Sequence, residues 1–306
     1  MILEFPPAFD INYYRQSYPE LRTQPDEVVR EHYRRFAEEQ GRTCCVYDFR
    51  ETMMRLMNNA INNLPLKVLE IGPSCTPSIL PPKTEGGGSV KYFDVVDAEE
   101  LKKRETKSEP DTPYHHAPEK IDYVSPNGDF SIIDEQFDAV FSSHSIEHQM
   151  NLVKHLQAVE RILNDGGLFV LVIPDKRYCF DHYRQETTIA EVLDRYFNKV
   201  DFRPFEDFID YEMSMTHNGA AQHWLGDHGD IDGQLSRENF EALSQRYIES
   251  QNANRYIDVH SLKFTPRSFE HIIHTLNKME LTRFKIHRLC HTVWGRFEFS
   301  VVLKKF

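Results

Sequence analysis

The sequence predicts an α/β chain built on a doubly wound, mostly parallel sheet. Two observations carry this. From residue 48 to 174, short apolar runs rich in β-branched residues alternate with stretches of helical spacing. One run, LFVLVIP at 168–174, is apolar without alternation, the pattern of a strand buried on both faces.

The elements follow in order. Residues 9–42 predict two short helices, the second opened by Pro25-Asp26 and closed by Gly41, a residue suited to a C-cap. DFRETMMRLMNNAINN, 48–63, places apolar side chains at helical spacing ahead of a strand at 67–71. The glycines at 86–88 turn the chain into a strand at 90–95, and 101–118 reads as loop or frayed helix. Strands are expected at 121–124 and 137–142, then a helix at 151–164 ended by Asp165-Gly166-Gly167, then the apolar strand. Residues 185–260 break the rhythm with polar, aromatic, His- and Asp-rich sequence and read as an insertion covering the ligand edge of the sheet. A helix at 266–279, with Thr265 as N-cap and Pro266 at its first position, and strands at 283–289 and 296–303 complete the pattern. The expected organisation is a helical N-terminal segment, 1–45, and a main domain, 46–306, that contains the insertion.

Composition narrows the function. The formal net charge is -12 over 306 residues, so a general phosphate-backbone binder is not expected. The five cysteines, Cys44, Cys45, Cys75, Cys179 and Cys290, contain no Cys-x-x-Cys pair and predict neither a disulfide framework nor a zinc knuckle. The N-terminus has no signal-peptide pattern, and no apolar run approaches the roughly 20 residues of a membrane span. A cytoplasmic location is expected.

In a doubly wound sheet, ligands sit at the carboxyl ends of the strands near the switch point. The first strand ends in Glu70-Ile71-Gly72-Pro73-Ser74, where a glycine lets the backbone approach a ligand. The second ends at Asp94, placed to accept hydrogen bonds from ribose hydroxyls. The turn is G-P-S-C-T-P, not the G-x-G-x-x-G of an NAD site, and Pro81 and Pro82 bar a full helix after it. His144 directly follows the fourth strand and is the first choice for a general base, with His148 second; packing and capping are the competing roles for both. Asp175, Lys176, Arg177 and Tyr178 follow the fifth strand, where Lys176 and Arg177 could hold an acceptor's carboxylate or phosphate. His223 and Trp224 open HWLGDHGDIDG, read as a substrate-covering loop.

No metal site is expected. In HSIEH, residues 144–148, Glu147 stands out of place for a zinc helix. A calcium loop centred on Gly233 would need Glu where Asn239 stands.

The ordered set VLEIGP, YFD, FDAVFSSHSIEH and RILNDGGLFVLVIPDKRY, about 68–178, resembles the class I methyltransferases that use S-adenosylmethionine. It looks closest to a bacterial branch with P-D-K-R-Y-x-F-D after the fifth strand, here 174–181. The resemblance implies a Rossmann-like, seven-stranded sheet. It implies that Glu70, Gly72 and Pro73, with Ser74 where many members carry a second glycine, line the methionine end of the cofactor. Asp94 would then bind the ribose, Asp129 lie by the adenine, and Ser143 and His144 lie beside the cofactor. Phe9, Asp10, Tyr13, Tyr14, Tyr18, Pro19, Leu21, His32, Tyr33, Gly41 and Arg42 resemble a short module of bacterial polysaccharide-assembly proteins. From this the expected reaction is O-methylation of a sugar or other hydroxyl-bearing acceptor, with a partner protein engaged through the N-terminal segment. The alternatives are methylation of a small natural product and a cofactor-binding module without activity.

Overall fold

The computed structural model describes residues 9–42, 49–83, 86–105, 117–234, 236–253 and 257–306. The expectations for Cys44, Cys45 and most of the 101–118 loop lie outside the described residues. The described N-terminal segment folds as α1 (Ile11–Ser17) and α2 (Asp26–Gln40), closed by Gly41 at φ +58°. Tyr14, Leu21 and Val29 form a small core of their own, with Phe9, Tyr18 and Tyr33 packed against it.

Next come α3 (Phe49–Asn63), β1 (Lys67–Ile71), β2 (Ser89–Asp94), α4 (Ala98–Glu105), β3 (Tyr123–Val124) and β4 (Phe137–Ser143). They are followed by α5 (Leu152–Ile162) and β5 (Leu163–Pro174). The insertion carries α6 (Ile189–Phe197), α7 (Phe205–Ser214), α8 (Ala220–Trp224) and α9 (Arg237–Asn252). The chain then runs through α10 (Pro266–Lys278), β6 (Phe284–Cys290) and β7 (Glu298–Lys305). Thr265 and Ser268 cap α10 reciprocally, as a threonine before proline at that spacing leads one to expect.

The seven strands form one sheet in the order β3-β2-β1-β4-β5-β7-β6. β1 to β5 pair in parallel, and β7 enters antiparallel between β5 and β6. Both faces are covered. Leu69, Ile71, Val140, Phe169 and Leu171 pack toward α5 and α10, while Val68, Ala139, Phe141, Val170 and Val172 pack toward Met53, Met57 and Ile61 of α3. This is why the strands read as unbroken apolar runs. The strand order reverses between β1 and β4, the switch point outside whose carboxyl ends a doubly wound sheet has its crevice.

Two boundaries differ from expectation. The helix before β5 stops at Ile162, and Leu163 pairs with Phe137, so residues 163–167 extend the strand across a register shift. β3 is held to two residues, each paired with the end of β2. Among the described residues, no helix is long and apolar enough to cross a membrane.

Candidate functional site

Glu70 points from β1 into the loop that follows and is 2% exposed. The N–H groups of Ser78 and Ile79 donate to its two oxygens at 2.8 and 3.0 Å. The hydroxyl of Tyr92 holds the same stretch by donating to the Ile79 carbonyl at 2.7 Å. Burial pushes the Glu70 carboxyl up to about 7 against the pull of those amides. Its part is to fold the loop, which in turn presents Gly72. Gly72 has φ +66°, and its N–H donates to the Phe93 carbonyl at 2.9 Å. Ser74 also takes the left-handed conformation, φ +51°, at the position where the resembling family carries glycine. Among the described residues no helix follows this loop, as Pro81 and Pro82 require.

At the end of β2, Asp94 is buried, and burial raises its carboxyl against backbone hydrogen bonds from Val96, Val95 and Ser74. The amide of Ser74 thus ties the β1 loop to the carboxylate expected to meet a ribose. Across the switch point, a Cβ placed on Gly72 would lie 3.7 Å from the Cβ of Ser145. Gly72, Ser74, Asp94, Ser143 and His144 therefore stand around one crevice, at the ends of β1, β2 and β4. Asp129 stands apart from this group. Its oxygens accept from the Ser131 N–H and hydroxyl at 2.8 and 2.7 Å, capping a short turn. It lines a cavity of about 400 Å³, with Gln149, Lys154 and Asp201, that none of Gly72, Asp94 or Ser143 borders.

His144 leaves β4 at φ +49°, its N–H continuing the ladder to the Val172 carbonyl at 3.0 Å. Its Nε2 lies 2.5 Å from Glu298 Oε1 at the start of β7. Its Nδ1 lies 3.6 Å from Oε1 of Glu147, and the side chain is 32% exposed. A histidine held at one nitrogen by a carboxylate is the arrangement that orients a general base. His148 is less suited. Burial, then the charges of His260 and Arg203, push it down to about 3, which leaves a weak base. Its Nδ1 is 3.2 Å from Asp258 and its Nε2 4.0 Å from Glu147.

Lys176 and Arg177, expected to face an acceptor, also have partners within the chain. The Arg177 fork closes on Asp175 at 2.9 and 2.6 Å, and Lys176 donates to the His182 carbonyl at 2.8 Å. Asp175 is itself buried and accepts from Thr292 at 2.6 Å. These residues shape the wall beside β5. Tyr178 and Trp224 stack at 3.7 Å between ring centroids and 12° between planes, and the Trp224 indole N–H donates to the Arg296 carbonyl at 2.9 Å. His223 is buried behind them, between His217 and His228. The N-terminal segment reaches this wall, where the Trp294 N–H donates to the Gly41 carbonyl at 3.0 Å.

Sequence reasoning missed Glu298, His260, Asp181 and Asp258. His260 Nδ1 lies 2.5 Å from Asp181 Oδ2, and its Nε2 is 3.9 Å from Glu147. The backbone N–H groups of Ser261 and Leu262 donate to the Glu147 carbonyl at 2.8 and 2.9 Å, pinning this distant segment to the end of β4. Burial raises the Glu147 carboxyl.

No curated protein matches the chain. The chain is similar to several solved structures. One, from Listeria monocytogenes, is described as an S-adenosylmethionine-dependent methyltransferase; it is 16% identical over 84% of this chain and 98% of its own, with TM-score 0.40. The CurJ carbon methyltransferase is 13% identical over 84% of this chain, TM-score 0.38, and the chain spans only 54% of its length. The glycopeptide N-methyltransferase MtfA, solved with S-adenosyl-L-methionine, is 20% identical over 44% of this chain and 58% of its own, TM-score 0.28. Residues 86–171, the stretch from the turn before β2 into β5, match the family model described as a methyltransferase domain.

Proposed function

We propose that the protein transfers the methyl group of S-adenosylmethionine to a hydroxyl, with a sugar or glycan as acceptor. The observation that carries the reading is that the methyltransferase-domain match, residues 86–171, covers β2, β3, β4 and most of β5, with β2 ending at Asp94 and β4 at Ser143. The residues fit the cofactor: Gly72 offers backbone without a side chain, and Asp94 is a buried carboxylate at the end of β2.

S-adenosylmethionine supplies, when bound, an activated methyl on a sulfonium. The protein's own work is placement and proton removal. Gly72 and Ser74 shape the approach, and Asp94 accepts hydrogen bonds from the ribose. His144 receives the acceptor's hydroxyl proton at Nδ1 while Glu298 holds Nε2 and stabilises the cation that forms. The sugar acceptor is supported by the stacked Tyr178–Trp224 pair beside the crevice and by the resemblance of the N-terminal segment.

Calorimetric titration with S-adenosylmethionine and S-adenosylhomocysteine tests the cofactor. Micromolar binding is expected, weakened by about 1.5–3 kcal/mol in Asp94→Ala, roughly 10- to 150-fold in Kd. Absence of binding to either compound overturns the proposal. Transfer of labelled methyl to saccharides, compared with aromatic natural products, then tests the acceptor.

A further inference from the structure

Glu147 is 1% exposed, and among the described residues neither of its carboxylate oxygens has a hydrogen-bond partner. Burying such a group without a partner costs several kcal/mol, so something that the side chains alone do not provide belongs there. Three imidazole nitrogens face the same oxygen, Oε1: His144 Nδ1 at 3.6 Å, His260 Nε2 at 3.9 Å and His148 Nε2 at 4.0 Å. Two of the rings have a carboxylate hydrogen-bonded at the other nitrogen, Glu298 on His144 and Asp181 on His260, each at 2.5 Å, while His148 Nδ1 lies 3.2 Å from Asp258 without a hydrogen bond. A carboxylate there draws the ring proton outward and leaves a lone pair facing inward. Lone pairs converging on a carboxylate repel one another unless a cation lies between them. Metal-binding histidines are held in this way by outer carboxylates.

We propose that Glu147, His148 and His260 bind a first-row divalent cation at the end of β4, with an open position toward His144. Their possible ligand atoms all lie within 4.8 Å of one another. Metal–ligand bonds of about 2.0–2.2 Å set neighbouring donors roughly 3.3 Å apart, so closing on the metal brings each histidine about 0.6–0.7 Å nearer the carboxylate, and no pair of donors more than about 1.5 Å closer. Two imidazoles, one carboxylate and no thiolate suit zinc, cobalt(II), manganese or iron(II). The sequence order of HSIEH gave no such set because the third ligand, His260, comes from another part of the chain. Resting on the function proposed above, the role is Lewis-acidic: an acceptor hydroxyl on the open position becomes more acidic, and His144 takes its proton.

A second histidine group, His182, His223 and His228, also has ligand atoms within 4.8 Å of one another. There His223 Nδ1 and His228 Nδ1 are 3.1 Å apart, His182 Nδ1 meets the Arg177 carbonyl at 2.7 Å, and His223 Nε2 meets the His217 carbonyl at 3.0 Å. These are hydrogen bonds already made, and no carboxylate is among the three.

The test uses the full chain stripped with chelator and titrated with cobalt(II) chloride, followed by its visible absorption and by metal analysis after gel filtration. About one cobalt per chain is expected. Glu147→Gln should weaken binding by more than ~100-fold and Asp181→Asn by ~10- to 100-fold, the range for an outer partner, while His228→Asn leaves it unchanged. Thermal unfolding confirms that each variant folds. Wild-type protein without a cobalt spectrum, or binding lost in His228→Asn and kept in Glu147→Gln, overturns the inference. Titrating S-adenosylhomocysteine into the stripped chain separates the two readings. If it binds and cobalt does not, the metal site fails alone; if cobalt binds and it does not, the methyl-transfer reading fails alone.

Discussion

Glu70 should make the protein less stable as pH rises from mildly acidic to neutral, against the trend for a salt-bridged carboxylate. The folded carboxyl keeps its proton up to about 7, while its ordinary value is 4.5. Below the lower value both states are protonated, and Glu70 adds no pH dependence. Between the two, the unfolded chain releases a proton that the folded chain retains, so stability falls with pH. Above about 7 the full difference is reached, about 3 kcal/mol at 1.36 kcal/mol per unit. Glu70→Gln removes this titration. It leaves one of the two amides, Ser78 or Ile79, without an acceptor, at a cost of about 1–3 kcal/mol that does not vary with pH. Urea unfolding of both proteins at pH 5, 6, 7 and 8 isolates the effect, because every other group cancels in the difference. The variant should gain on the wild type by about 2.5 kcal/mol across that range, since part of the titration is complete at pH 5. Parallel pH profiles would refute the reasoning and show that the two amides keep Glu70 ionised.

Three further outcomes are expected. Glu298→Gln should lower turnover about 10- to 100-fold, because the His144 ring loses the carboxylate that orients it and stabilises its cation; Kd for S-adenosylhomocysteine, measured by calorimetry, should not change. Asp207→Asn should cost about 1–3 kcal/mol in urea unfolding, since it takes from the buried Arg195 guanidinium the carboxylate that meets it at 2.8 and 2.6 Å and leaves it Glu191 at 2.6 Å. Gly41→Ala should cost at least about 1–2 kcal/mol for its left-handed backbone. Its new Cβ would also lie 2.6 Å from the Trp224 ring and 2.7 Å from the Trp294 nitrogen, so the emission of the protein's two tryptophans should shift.

The sheet was largely legible because its signal is local. β1, β4 and β5 announce themselves as short apolar runs, and the glycine at 72 marks where the backbone must turn left-handed. The capped start of α10 was written in Thr265-Pro266. The partners of the site were not legible. Nothing near Glu298 distinguishes it from a solvated strand residue; only the antiparallel entry of β7 carries it to His144. His260 reaches Glu147 because two backbone hydrogen bonds dock its segment there, and no spacing rule encodes that. The partners of Lys176 and Arg177 were not legible for a related reason. Position after a strand was readable, but not that Asp175 and the His182 carbonyl would take both cations. For Asp129 the cue was present: an aspartate two residues before a serine at a turn is a cap, and capping took precedence.

The threading of β7 between β5 and β6 also sets a schedule for the growing chain. His144 and Glu298 are 154 positions apart. At a synthesis rate of ~5–20 residues per second, the histidine emerges roughly 8–30 s before its partner is made. For most of that interval β5, the most apolar strand, has one bare edge able to pair with another nascent chain. Arrival of β7 closes that edge and places Glu298 beside His144 in the same event. A ribosome stalled before residue 298 would therefore leave a product both inactive and prone to aggregate, a natural client for chaperones that bind exposed strands.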